Sequence, residues 1–164
     1  DRPSAIRYPR GGGTGVDLPN VGKPISIGKG RILKQGSRIA LLSYGTRLAS
    51  CLTAAEKLVA RGLSTTVADA RFAKPIDEEL IKNLATHHEV LISVEEGSIG
   101  GFATQVMHFL ASKGLLDSSI KYRPICQPDI FIDHASQQSQ NEMAGLHSDA
   151  IVEMALSAVG HGVS

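Results

Sequence analysis

The stretch "RIALLSYGTRLASCLTAAEKLVARG", residues 38–62, decides the fold class. Its first seven residues are an apolar run of the buried-strand type. Leu48, Cys51, Leu52, Ala55, Leu58 and Val59 then recur at helical spacing. Thr46 stands where an N-cap is expected, and Gly62 stands where the helix should stop. A buried strand that feeds directly into an amphipathic helix is the opening half of a crossover unit.

The same unit recurs downstream. "STTVADA" (64–70) is short and β-branched, and Pro75 and Asp77 then set up a second helix. Asp77 can cap it, while Glu78 and Glu79 suit the positive end of its dipole. "EVLISVEE" (89–96) reads as the next strand, followed by a helix over 101–113 that ends at Gly114. "IKYRPICQ" (120–127) is a further strand, and a last helix is predicted over 148–159. Strands alternating with helices imply right-handed crossovers and a mainly parallel sheet covered on both faces. The expected architecture is a three-layer α/β/α domain.

Upstream of residue 38 the pattern changes. Residues 16–36 read mostly as a linker, with one short strand candidate at 31–34 in "GKGRILKQG". Before it, "SAIRYPRGGGTG" (4–15) reads as a strand running into a glycine run, as if a longer chain had been entered in mid-strand.

Bulk composition excludes several functions. With 164 residues and 42% hydrophobic content the chain can bury a core, and its net charge of +1 supplies no general field for nucleic acid or an acidic membrane. Aromatics are only 4%, so base-stacking platforms are not expected. No apolar run reaches the about 18 to 20 residues needed to span a bilayer. Cys51 and Cys126 fall in no paired spacing, and both are expected as small buried hydrophobes of a reduced compartment.

Sheets of this kind take ligands at the carboxyl ends of their strands. The first such turn, "SYGTRL", has a single glycine and lacks the close backbone approach a dinucleotide needs. "GGGTG" leads to Pro19 rather than to a helix, so no phosphate cradle is expected there either. "EEGSIGG" (95–101) opens a helix whose N–H groups suit an anion, yet Glu95 and Glu96 would repel one. The expectation is a tight connection whose acids are paired or solvated.

His87 and His88 are placed to satisfy carbonyls at a helix end, and no histidine joins a cysteine cluster at metal spacing. Asp133 and His134 in "PDIFIDHAS" are adjacent on an extended segment, point opposite ways, and are expected in a structural loop. No self-sufficient catalytic or metal site is expected in this chain.

"SAIRYPRG" leading into "GKGRILKQG", then "VADARFAKPID", "ISVEEGSIGGFA", "PDIFIDHAS" and "AGLHSDAIVEMAL", occur in one order along the chain. Together they resemble the C-terminal end of the 1-deoxy-D-xylulose-5-phosphate synthase family, thiamine-diphosphate-dependent members of the transketolase superfamily. The run "GFATQVMHFLASKGLLDSSIKYRPI" is similar to plant forms, which implies a plastid protein.

The resemblance implies three parts. Residues 1–15 would end a preceding pyrimidine-binding domain, 16–36 would be the linker, and 37–164 a transketolase C-terminal domain. It also implies a parent enzyme that condenses pyruvate with glyceraldehyde 3-phosphate, using thiamine diphosphate and Mg²⁺ held by upstream domains. Arg10 of "RYPRG" would grip the acceptor's phosphate through paired charge-assisted hydrogen bonds. No cofactor is expected on this chain alone, whose role would be structural and homodimer-forming. The alternative is a diverged, non-catalytic synthase-like protein that keeps the domain for dimerisation or regulation.

Overall fold

In a computed structural model of the chain, the structure describes residues 2–8, 13, 15–17 and 19–160. Arg10 lies outside the described residues.

Five strands form one sheet: β1 (Arg31–Lys34), β2 (Ile39–Ser43), β3 (Thr65–Asp69), β4 (Val90–Ser98) and β5 (Lys121–Gln127). Their spatial order is β1-β3-β2-β4-β5; β1 runs antiparallel along one edge and the other four are parallel. Every residue of β2 and β3 is buried, which is why their sequences run apolar or β-branched instead of alternating with charges.

Helices cover both faces. On one, α1 (Leu48–Val59) and α5 (Ser148–Val159) bury Cys51, Ala54, Leu58, Ile151 and Ala155 against Ile39, Leu41, Val67 and Ile92. On the other, α2 (Glu78–His87) and α3 (Phe102–Ser112) bury Ile81, Leu84, Phe102, Val106 and Leu110 against Ala40, Leu42 and Leu91. Each apolar stripe repeats at three and four residues, the period that keeps one helix face on the sheet. The three-layer α/β/α reading therefore holds.

Four details differ from the sequence reading. A 3-10 turn over Gly45–Arg47 intervenes before α1, and no side chain caps that helix. Thr46 falls inside the turn, so the N-cap position moves on to Arg47, and the Thr46 hydroxyl instead accepts from Arg47 Nε at 3.4 Å. Residues 2–8 form no strand, and Ile6 and Tyr8 stand exposed, since no neighbouring strand takes up their backbone groups.

A fifth helix, α4 (Gln137–Met143), was not anticipated. It buries no residue, so "QQSQNEM" carries no apolar period, and it is set by the Ser136 hydroxyl, which accepts the Ser139 N–H at 3.1 Å. Finally, Cys51 is fully buried as expected but Cys126 is only partly so. β5 is the sheet's outer strand, and its side chains lack a second neighbour.

The linker joins the domain at α2. Gly30 donates its N–H to Asp77 Oδ2 at 2.9 Å, while Asp77 Oδ1 accepts the Leu80 N–H at 3.1 Å and caps the helix. Gly28, at φ +68°, lies so close to Pro75 that an added Cβ would fall 2.9 Å from its Cγ.

Candidate functional site

β2 and β4 are neighbours, but the helices that follow them leave to opposite faces. Such a divergence opens a crevice at the carboxyl ends of the two strands, the usual ligand position in parallel sheets. Here the protein's own side chains fill it.

Glu95, only 2% exposed, turns back onto the start of α3. Its Oε2 accepts the Phe102 N–H at 3.0 Å and its Oε1 accepts the Ala103 N–H at 2.7 Å. The two donors that would otherwise invite an anion are thereby satisfied by an internal carboxylate. Gly97 and Gly101 leave room for it, since a Cβ on either would collide with the carboxylate. Of the two expected states, paired or solvated, both acids take the first, with burial of Glu95 added to it.

Glu96, one residue on, points to the opposite face. Its Oε1 pairs with Arg47 Nη2 at 2.7 Å, and Arg47 Nη1 also donates to the Leu146 carbonyl at 3.4 Å. Arg47 thus ties the ends of β2 and β4 to the segment before α5. The Tyr44 ring stacks on Phe102 with centroids 4.9 Å apart and closes the α3 side. Tyr122 completes that side: its hydroxyl donates to the Ala103 carbonyl at 2.9 Å and accepts from Ser93 Oγ at 2.6 Å. Burial pushes the Tyr122 hydroxyl up to about 12, so it stays a neutral donor.

Cys51 lies beneath the crevice. Burial pushes its thiol up to about 12, against the opposing pull of the nearby Ser43 hydroxyl and the Arg47 charge. A thiol held neutral is a packing group and a poor nucleophile.

Thiamine diphosphate and Mg²⁺ are the groups implied by the family resemblance, and these residues do not fit them. The amides that would receive a diphosphate already hold Glu95, whose charge would repel it. Among the described residues no three His, Cys, Asp or Glu side chains gather where they could hold a metal ion.

The other candidates are placed as follows. His87 and His88 each set Nδ1 at 2.9 Å from a carbonyl of their own helix, Asn83 and Leu84 respectively. Asp133 and His134 sit in an exposed loop; the Asp133 carbonyl accepts from Gln140 Nε2 at 3.2 Å. A Cβ added to Gly13 or Gly15 of "GGGTG" would meet no described atom within 4 Å beyond the chain neighbours. Among the described residues no helix is long and apolar enough to cross a membrane.

Sequence reasoning missed the Arg47–Glu96 tie and the second bond of Asp77. Both join segments far apart in the chain, and spacing alone carries no sign of them.

A mixed, mostly parallel five-stranded sheet between two helical layers, with side chains packed into its crevice, defines a three-layer α/β domain. The chain belongs to the transketolase C-terminal domain family, whose model matches residues 28–151. A solved structure described as a split gene transketolase, inactive beta4 tetramer, is similar at 27% identity and TM-score 0.75 over 87% of this chain. Transketolase from Campylobacter jejuni shares the fold at 18% identity and TM-score 0.55 over 79% of this chain. The chain spans 46% of the first of these relatives and 18% of the second.

Proposed function

We propose that this chain is the C-terminal part of a thiamine-diphosphate-dependent synthase of the deoxyxylulose-phosphate type, acting in a plastid. The parent would join pyruvate to glyceraldehyde 3-phosphate with loss of CO₂, and Arg10 would hold the acceptor's phosphate. The domain itself would bind no cofactor; its work would be to hold upstream domains and a second subunit in place. Thiamine diphosphate, when bound elsewhere in the parent, would supply the electron sink for decarboxylation.

One observation carries the non-catalytic role of the domain: Glu95 occupies the helix amides at the crevice where a phosphate-bearing cofactor would otherwise sit. Support for dependence on a partner comes from the split gene transketolase, whose beta4 tetramer is described as inactive. The finer assignment to the synthase rests on "RYPRG" combined with "RFAKPID" and "FIDH" in one chain.

The test is calorimetric titration of the chain with thiamine diphosphate and Mg²⁺. No heat of binding is expected. Saturable binding would overturn the assignment, because a cofactor site would then exist on these residues. Formation of 1-deoxy-D-xylulose 5-phosphate by a polypeptide carrying the upstream domains, and its loss in Arg10→Ala, tests the synthase reading.

A further inference from the structure

At the outer carboxyl end of the sheet, Asp69 closes β3 and stands opposite Arg31 of β1. The Asp69 carboxylate is mostly buried and takes two guanidinium groups on one oxygen. Arg31 Nε donates to Oδ2 at 3.1 Å, and Arg71 Nε lies 3.9 Å from the same atom. Oδ1 accepts the Arg71 backbone N–H at 3.1 Å. Two positive charges therefore share one negative charge, where a single arginine would neutralise it.

Three features make the surplus more than a compensated acid. The terminal Nη atoms of both arginines make no hydrogen bond to any described residue, so two planar donor edges remain open. No described acid other than Asp69 forms an ion pair with either arginine. Arg71 is also the one non-glycine among the described residues with positive φ, at 59°. That region disfavours a long side chain, and such strain collects at binding sites. A glycine would relieve it but would remove the guanidinium.

We propose that Arg31 and Arg71, oriented by Asp69, form a binding site for an oxyanion, a phosphate or carboxylate group. Paired guanidinium edges match the planar spacing of either group. The site lies apart from the sealed crevice and does not depend on the function assigned above.

The experiment follows the unfolding midpoint of the chain against inorganic phosphate and, separately, malonate, with chloride holding ionic strength constant. The expected result is a saturable rise with at least one of the two. The apparent affinity should fall about tenfold or more in both Arg71→Gly and Arg31→Gln, as loss of a charge-assisted pair requires. Arg123→Gln, on the opposite edge strand, should respond like the parent chain. Arg71→Gly removes backbone strain, so loss of its response reports the missing side chain and not a damaged fold. Phosphate alone acting would identify a phosphorylated ligand; malonate alone would identify a carboxylate. No saturable rise with either anion, or an equal rise in Arg71→Gly, overturns the proposal.

Discussion

Glu95 and Gly101 occupy space that only one of them can fill: a Cβ built on Gly101 falls 2.6 Å from Glu95 Oε2. Gly101→Ala must push the carboxylate off the Phe102 and Ala103 amides or shift the start of α3. Either response should cost about 1 to 3 kcal/mol, the usual range for overpacking a full site. Glu95→Ala removes the clash but leaves two buried N–H groups without a partner, at about 1 to 3 kcal/mol for each. Urea denaturation should show both variants destabilised and the double variant less so than the sum, because the two lesions share one contact.

Asp77 links the linker to the domain through one oxygen and caps α2 through the other. Asp77→Ala should lose about 1 kcal/mol from the cap alone. It should also free the backbone around Lys29, whose ammonium loses one of its two acidic neighbours. Limited trypsin digestion should then cut at Lys29 faster than in the parent chain. An unchanged cleavage rate would mean that packing of Gly28 on Pro75, and not Asp77, fixes the linker.

Acid sensitivity should centre on Glu89, which reaches Lys121 Nζ and Arg38 Nε at 2.9 Å each. The Lys121 hydrogen bond first, then the Arg38 one, holds its carboxyl below the ordinary value of 4.5. A carboxyl depressed in the folded state stabilises fully above its unfolded value and loses that contribution as pH falls through the folded one. All three side chains are about a third or more exposed, so solvent screening limits the effect to below about 1 kcal/mol. Comparing unfolding midpoints with Glu89→Gln should show a small gap at neutral pH that closes below 4.5.

Much of this architecture is legible in the sequence, because the strands are continuous apolar runs and the helices carry their own period. Asp77, Gly114 and the limits of the last helix were readable from the same chemistry. α4 was not, since a helix that buries nothing leaves no apolar stripe. The direction of β1 was not either, because four residues say nothing about their partner. Glu95 was half legible. Strand parity puts it on the side of Leu91 and Ser93 and sends Glu96 the other way, but only the fold brings the α3 amides to it. The Arg31–Asp69–Arg71 cluster depends on pairing across strands 38 positions apart in the chain, which spacing does not record.

The two cysteines should separate cleanly by reactivity. Cys51 is fully buried on α1 with its thiol pushed up to about 12. Cys126, on the edge strand, is partly open, and burial with the nearby Glu95 charge raises its thiol to a lesser degree. Alkylation requires both access and thiolate, so Cys126 should react slowly near neutral pH and faster as pH rises. Cys51 should stay unlabelled over the same range and react only after denaturant exposes it. Peptide mass spectrometry after timed iodoacetamide treatment reads both sites at once. Labelling of Cys51 at the rate of Cys126 in the native protein would mean that α1 opens readily, and the Arg47–Glu96 tie would then be too weak to close the crevice.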